Sequence, residues 1–221
     1  MADERYSLRL VRTADAGLID IGLLTIETGE MISNQYKYVL ASNSPRRKEL
    51  LAGLGIDFEV RVLSDIDESY PVTLPVADIA EFIAAKKAEA YRATMGADEL
   101  IITADTVVIC GDEVMGKPAD DADACRMLRQ LSGRVHHVTT GVCLTTRQQQ
   151  RRFSVTTEVT FKELSDEEIS FYVSRYRPFD KAGAYGIQEW IGYIGCTGLN
   201  GSYYNVMGLP VQRIYQELQQ F

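Results

Sequence analysis

The run LIITADTVVIC, from Leu100 to Cys110, constrains this chain more than any other segment. A stretch so uniformly apolar and β-branched has the pattern of a strand covered on both faces, which requires helices packed above and below a sheet. Asp105 interrupts it. A carboxylate in such a strand is costly unless a cation, a metal or good donors meet it, so position 105 demands a partner from elsewhere in the chain. The competing reading ends the strand at Asp105, which then caps a turn.

Around that run, strands and helices alternate. Residues 38–42 read as a strand, 45–54 as a helix, 58–64 as a second strand and 76–94 as a long helix. A helix over 120–131 and strands over 136–146 and 151–163 follow. Ser165 with Glu168 three residues on predicts a capping box at the start of a helix over 165–176. A glycine-rich segment, 181–201, carries no assigned element, and a last helix starts near Pro210. The order implies an α/β chain with a mixed twisted sheet and flanking helices. At 221 residues the chain can form one domain or two small lobes, burying roughly 70% of its unfolded surface. Residues 1–35 show no periodicity and no signal-peptide pattern; they read as an appendage of unknown role, with Met31 a second candidate start, and 36–221 as the folded domain.

Charge narrows the choice of partners. A net charge of −8 argues against broad nucleic-acid binding, which needs a basic face to displace counterions, but leaves room for a small anion met by local cations. No run of about 18 apolar residues occurs, so no membrane helix is expected. Cys110, Cys125, Cys143 and Cys196 have neither metal-ligand nor Cys-x-x-Cys spacing and read as reduced thiols of a cytoplasmic protein.

Several cations stand in unusual places. Ser44, Pro45 and the leucines that follow mark a helix start, yet Arg46 and Arg47 occupy its first turn, where the helix dipole disfavours a cation by about 0.3–1 kcal/mol. An anion bound at that helix start would account for them; two solvent-facing arginines are the plainer alternative. On the long helix, Lys87 falls within the stripe formed by Val76, Ile79, Ala80, Ile83 and Ala90, whereas Lys86 lies to the side. Lys87 therefore either snorkels to a rim or points into a site. Gly111-Asp112 predicts a two-residue hairpin whose register sets Lys117 opposite Thr106 and beside Asp105. GDEVMGKP imitates a phosphate-binding loop through Lys117, but Pro118 has no hydroxyl for Mg²⁺ and no backbone N–H, so that loop is rejected. Nor does any G-x-G-x-x-G follow a strand to support dinucleotide binding.

The loop SDIDESY gathers Asp65, Asp67 and Glu68 after a strand, which suits either Mg²⁺ or plain solvation. His136 and His137 enter a strand and point to opposite faces, which suits structural roles. No G-x-S-x-G nucleophile motif is present, so covalent catalysis is not indicated.

Taken in order, ASNSPRRKELL, DIDE, TADTVV, GKP, LSGRVHHVTTG and DKAGAYGIQ resemble the Maf family of nucleoside triphosphate pyrophosphatases over about residues 37–220. The resemblance implies two lobes around a central cleft, similar to inosine triphosphate pyrophosphatases, and a homodimer in many members. It implies Mg²⁺- or Mn²⁺-dependent hydrolysis between the α- and β-phosphates of a nucleoside triphosphate. On matching positions, Asp105 is the proton acceptor and Glu68 a metal-linked carboxylate, with both expected at the metal. Lys87, Lys117 and Arg47, beside Ser42 and Ser44, hold phosphates, while Arg46, Thr106 and Gln188 match positions tied to base specificity. DKAGAYGIQ resembles the branch acting on dTTP and UTP. In that reading Gly183 and Gly186 let backbone approach the base while the Gln188 amide reads a pyrimidine edge. Thr103 stands where the family more often has glycine. Two alternatives compete: the same reaction on modified nucleotides, and a non-enzymatic nucleotide-binding regulator of cell division.

Overall fold

The strand predicted from LIITADTVVIC is continuous. β3 (Glu99–Cys110) runs straight through Asp105, with Ile101, Ile102 and Thr103 fully buried and Asp105 and Thr106 half-buried. The computed structural model describes residues 35–221, so the N-terminal appendage, apart from Gln35, lies outside the described residues.

Before β3 come β1 (Lys37–Leu40), α1 (Pro45–Ala52), β2 (Phe58–Val60) and α2 (Ile79–Tyr91), the last preceded by a single 3₁₀ turn. After it come β4 (Glu113–Met115), α3 (Asp121–Leu131), β5 (Val135–Thr145), β6 (Gln150–Phe161) and α4 (Asp166–Tyr176). α5 (Trp190–Gly195), β7 (Cys196–Asn200), α6 (Tyr203–Met207) and α7 (Val211–Leu218) complete the chain. The sheet order is β2-β1-β3-β5-β6-β7, with β4 also on β3; β1 joins β2 and β3 in parallel, and the other pairings are antiparallel. This is the mixed sheet with flanking helices that the alternation implied.

Local rules account for most of these boundaries. Ser165 accepts from the Glu168 N–H while Glu168 accepts from the Ser165 N–H at 2.9 Å, forming the predicted capping box of α4. β2 is shorter than the alternation of 58–64 implied. Its only partner among the described residues, β1, pairs no further than Leu40 with Val60, and without a ladder the chain beyond Arg61 turns away. The segment 181–201, blank in the sequence reading, holds α5 and β7. Gly192 permits this, because a Cβ there would lie 1.9 Å from the Ile187 carbonyl oxygen. Thr103 is no steric problem: its hydroxyl donates to the Ala84 carbonyl at 2.7 Å, tying β3 to α2.

The apolar residues form two main cores. One packs α1 and α7 with Leu100 and Ile102 from the first half of β3; the other packs α3 and α4 with Val108 and Cys110 from its second half. A cleft opens between them at the middle of β3.

Candidate active site

The cleft follows from how β3 is paired. β5 covers one edge of β3 from Ile101 to Ile109. The other edge is shared, with β1 as far as Ile102 and β4 from Val108 onward. Residues 103–107 therefore have no strand partner on that side among the described residues. A point where neighbouring strands diverge is where open α/β sheets bind ligands, and Asp105 sits at this one. The cleft holds about 620 Å³ and is lined by Ser42, Ser44, Arg46, Arg47 and Glu68, and across from them by Lys87, Asp105, Thr106, Lys117 and Gln188.

Asp105 has the cation that its strand demanded. Lys87 Nζ donates to Asp105 Oδ1 at 2.7 Å and also meets Glu68 Oε1 at 3.0 Å, so two carboxylates converge on one ammonium. The hairpin register at Gly111-Asp112 is as its length predicts, with Cys110 opposite Glu113 and Val108 opposite Met115. The ladder stops there, before Lys117. The cation against Asp105 is thus Lys87, not Lys117, which lines the same cleft with no ion-pair partner among the described residues. Lys86 diverges from its neighbour and binds Asp67 at 2.6 Å, an outward contact that, with donors from Ser69, holds the Asp67 carboxyl well below the usual carboxylate range.

A glycine that sequence reasoning passed over makes the Lys87 contact feasible. Gly141 lies opposite Asp105 in β5, and a Cβ there would fall 2.2 Å from backbone atoms of Ala80 and Glu81. Its missing side chain lets α2 settle directly on the sheet. Tyr91, at the end of α2, accepts from the Leu63 N–H and donates to the Arg61 carbonyl, both at 3.0 Å, anchoring the loop that carries Glu68.

The two arginines of α1 find protein oxygens rather than depending on a bound anion. Arg46 pairs with Asp180 at 2.7 Å. Arg47 donates from Nε to the Gly208 carbonyl at 2.8 Å, and from its terminal nitrogens to the Ala104 carbonyl at 2.8 Å and Thr106 Oγ1 at 3.0 Å. The Ala104 carbonyl lies on the unpaired stretch of β3, so Arg47 stands in for a missing strand. A guanidinium has five N–H donors, and the three bonds leave two for the cleft. Burial pulls the Arg47 pKa below its ordinary value, while Asp105 opposes that shift. Ser44 caps α1 through the Arg47 N–H, and Ser42 accepts from the Ser44 N–H at 3.2 Å.

The opposite wall is built by residues 180–189. Lys181 is buried and paired with Asp180 at 2.8 Å and Glu189 at 3.1 Å. Burial alone would raise the Asp180 carboxyl, but hydrogen bonds from Lys181 and Arg46 outweigh it and hold it at about 2. Neither Asp180, Lys181 nor Glu189 was singled out individually from the sequence; the signal was a lysine inside an otherwise small and apolar motif. Gln188 Oε1 is buried without a hydrogen-bond partner among the described residues. Gly186 lines the cleft, but Gly183 does not: with φ at +68° it packs on β3, where a Cβ would meet Val108 Cγ2 at 2.9 Å. Its expected approach to a ligand is therefore corrected to a packing role. Behind this wall, buried His136 bonds the Tyr185 hydroxyl at 2.8 Å, while His137 is exposed on the other face.

Among the described residues no three His, Cys, Asp or Glu side chains gather as a ready metal nest. The Asp105 and Glu68 pair nevertheless fits a hard cation that takes one or two carboxylates and completes its shell with phosphate and water oxygens. Among the described residues no helix is long and apolar enough to cross a membrane.

Fold and site together define an α/β protein with a mixed sheet, forked at its centre, whose cleft pairs fixed cations with converging carboxylates. Residues 37–221 match the family described as Maf-like protein, and the chain belongs to that family. It is 63% identical to a dTTP/UTP pyrophosphatase of Phocaeicola vulgatus over 185 residues, covering 84% of this chain and 96% of that one. A dTTP/UTP pyrophosphatase of Parabacteroides distasonis is 61% identical over 187 residues, covering 85% and 97%. Among solved structures, a HAM1 protein from Coxiella burnetii matches at a TM-score of 0.44 and 15% identity, over 84% of this chain and 100% of that one.

Proposed function

We propose that this protein hydrolyses dTTP and UTP to the nucleoside monophosphate and pyrophosphate. The observation that carries the reading is Asp105, a carboxylate on the unpaired edge of a buried strand, ion-paired to Lys87 in a cleft that it shares with Arg47 and Lys117. Relatives bearing that activity in their names, at 63% and 61% identity, support it.

Opening a phosphoanhydride needs charge neutralisation and a positioned water more than covalent help. Lys87, Lys117 and the two uncommitted N–H groups of Arg47 hold the phosphates, with the Ser42 and Ser44 hydroxyls beside them. Asp105 orients the water and takes its proton as the oxygen bonds to phosphorus and the anhydride link between α- and β-phosphates breaks. Glu68 and Asp105 would hold Mg²⁺ or Mn²⁺, which supplies neutralisation of charge on the phosphate oxygens. Arg46, Thr106 and Gln188 face the nucleoside. The Gln188 amide, on the cleft wall, can donate and accept at once and so suits the edge of a pyrimidine. Four free thiols support a cytoplasmic setting, and a homodimer belongs to the same reading.

Pyrophosphate release from UTP and dTTP with Mg²⁺ tests the proposal. Wild-type protein turns over, whereas Asp105→Asn loses about 10²–10⁴ in rate while keeping its fold. Nucleotide binding without turnover by the wild type would favour a regulator and overturn the enzymatic reading.

A further inference from the structure

Arg47 and four residues around it form a closed circuit of hydrogen bonds in which the direction of every bond follows from its donors and acceptors. Thr140 is fully buried, so no water competes for its hydroxyl. It lies 3.1 Å from the Asn205 carbonyl oxygen, and a carbonyl can only accept, so the single Thr140 proton points to Asn205. Thr106 Oγ1 lies 3.0 Å from Thr140 Oγ1. With the Thr140 proton already committed, Thr106 must be the donor in that bond. Arg47 has no acceptor, so its 3.0 Å contact donates into Thr106 Oγ1. The circuit closes through α6. The Gly208 N–H donates to the same Asn205 carbonyl at 2.9 Å, and the Gly208 carbonyl accepts from Arg47 Nε at 2.8 Å.

Both branches join the guanidinium to the Asn205 carbonyl; along the hydroxyl branch each bond polarises the next in the same sense, while the Gly208 contacts fix the two ends relative to each other. Asn205 is itself fixed, donating through Nδ2 to the Val138 carbonyl and to Thr157, each at 3.0 Å. The consequence falls on Thr106, the one hydroxyl of the circuit that lines the cleft. Its proton is spent inward and one lone pair is taken by Arg47, so what remains toward the cleft is an acceptor.

We propose that Thr140 is a positioning residue for substrate selection: it fixes the Thr106 hydroxyl so that Thr106 offers the nucleotide an acceptor and never a donor. This rests on the nucleotide reading above and adds to it the chemistry that Thr106 recognises, a hydrogen-bond donor of the nucleoside. Two groups supply that chemistry, the imide N–H of uracil or thymine and the sugar 3′-hydroxyl.

Affinity is measured by calorimetry for wild type, Thr140→Val and Thr140→Ser with the α,β-methylene analogues of UTP, CTP and 3′-deoxy-UTP, which cannot be cleaved at the anhydride. Thr140→Val keeps the volume but frees the Thr106 proton. UTP-analogue affinity falls about three- to tenfold, the worth of one hydrogen bond, and Thr140→Ser restores it. If Thr106 meets the imide, preference over the cytosine analogue shrinks by that factor. If it meets the sugar, preference over the 3′-deoxy analogue shrinks instead. In the free protein the Arg47 Nε–H signal exchanges faster with solvent in Thr140→Val than in wild type or Thr140→Ser. Unchanged affinities, preferences and exchange in Thr140→Val overturn the proposal, as does a Thr140→Ser variant as impaired as Thr140→Val. Turnover of UTP by the wild type is read separately, and its absence sinks the enzymatic reading without touching the exchange comparison.

Discussion

The two walls of the cleft handle charge in opposite ways. On the sheet wall, Lys87 bridges two carboxylates and Arg47 is spread over three oxygens, leaving N–H groups and a carboxylate edge available. On the facing wall, Arg46 pairs with Asp180 and Lys181 bridges Asp180 and Glu189, so two cations balance two carboxylates, and Gln188 beside them is a neutral amide. The difference teaches a division of labour. A wall with unspent charge suits an anionic tail, and a wall whose charges balance suits a neutral base.

The sharpest way to break this contrast is Lys87→Met, which leaves Asp105 and Glu68 converging without a cation. Pyrophosphate release should fall by about 10²–10³, the usual cost of losing a charge clamp. A loss below threefold, roughly the size of one weak surface contact, would mean that the sheet wall does not work through charge.

Acid should reach the facing wall first. Burial, with the charge of His137 adding, lowers His136 to about 4, against 6.5 for an ordinary histidine. Between those values the unfolded chain binds a proton that the folded chain refuses, so stability falls as pH drops from 6.5 and levels off below about 4. The full loss is about 3 kcal/mol. Asp180, held at about 2 against 3.8 for an ordinary aspartate, stays charged in the folded chain across that window and adds to the slope only near pH 4, where the unfolded carboxylate begins to protonate. Urea midpoints measured from pH 7 to 4 check this, and in His136→Gln the slope across that range should flatten.

A smaller effect tests how the sheet wall is assembled. Gly141→Ala pushes a methyl into the backbone of α2 and should cost about 1–3 kcal/mol, seen as a lower melting temperature. Because α2 carries Lys87, activity should fall in the same variant. Lost stability with unchanged activity would show that the seating of α2 and the Lys87–Asp105 contact are independent.

Much of this was legible in the chain. The apolar run around Asp105 announces a buried strand in need of a cation, and helical spacing alone separates Lys87 from Lys86. The capping box at Ser165 and the hairpin register at Gly111 also rest on neighbours a few residues apart, where local rules are strong. Failures came where the partner is remote. Turn length alone paired Lys117 with Asp105, because nothing local says that β4 ends at Met115. α5 and β7 were invisible because glycine disfavours both elements; here Gly192 allows a backbone contact that no propensity records. The partners of Arg46 and Arg47 lie between 57 and 161 residues away in the chain.

By itself the sequence determined which segments become strands and helices, that the central strand is buried, and that a carboxylate within it needs a positive partner, since these follow from side-chain chemistry and short-range periodicity. Only the tertiary structure decided which cation meets Asp105, that the edge of β3 forks around it, and which way the Thr106 proton points. Those outcomes depend on distances between residues far apart in the chain, and such distances exist only once two cores have closed against one sheet.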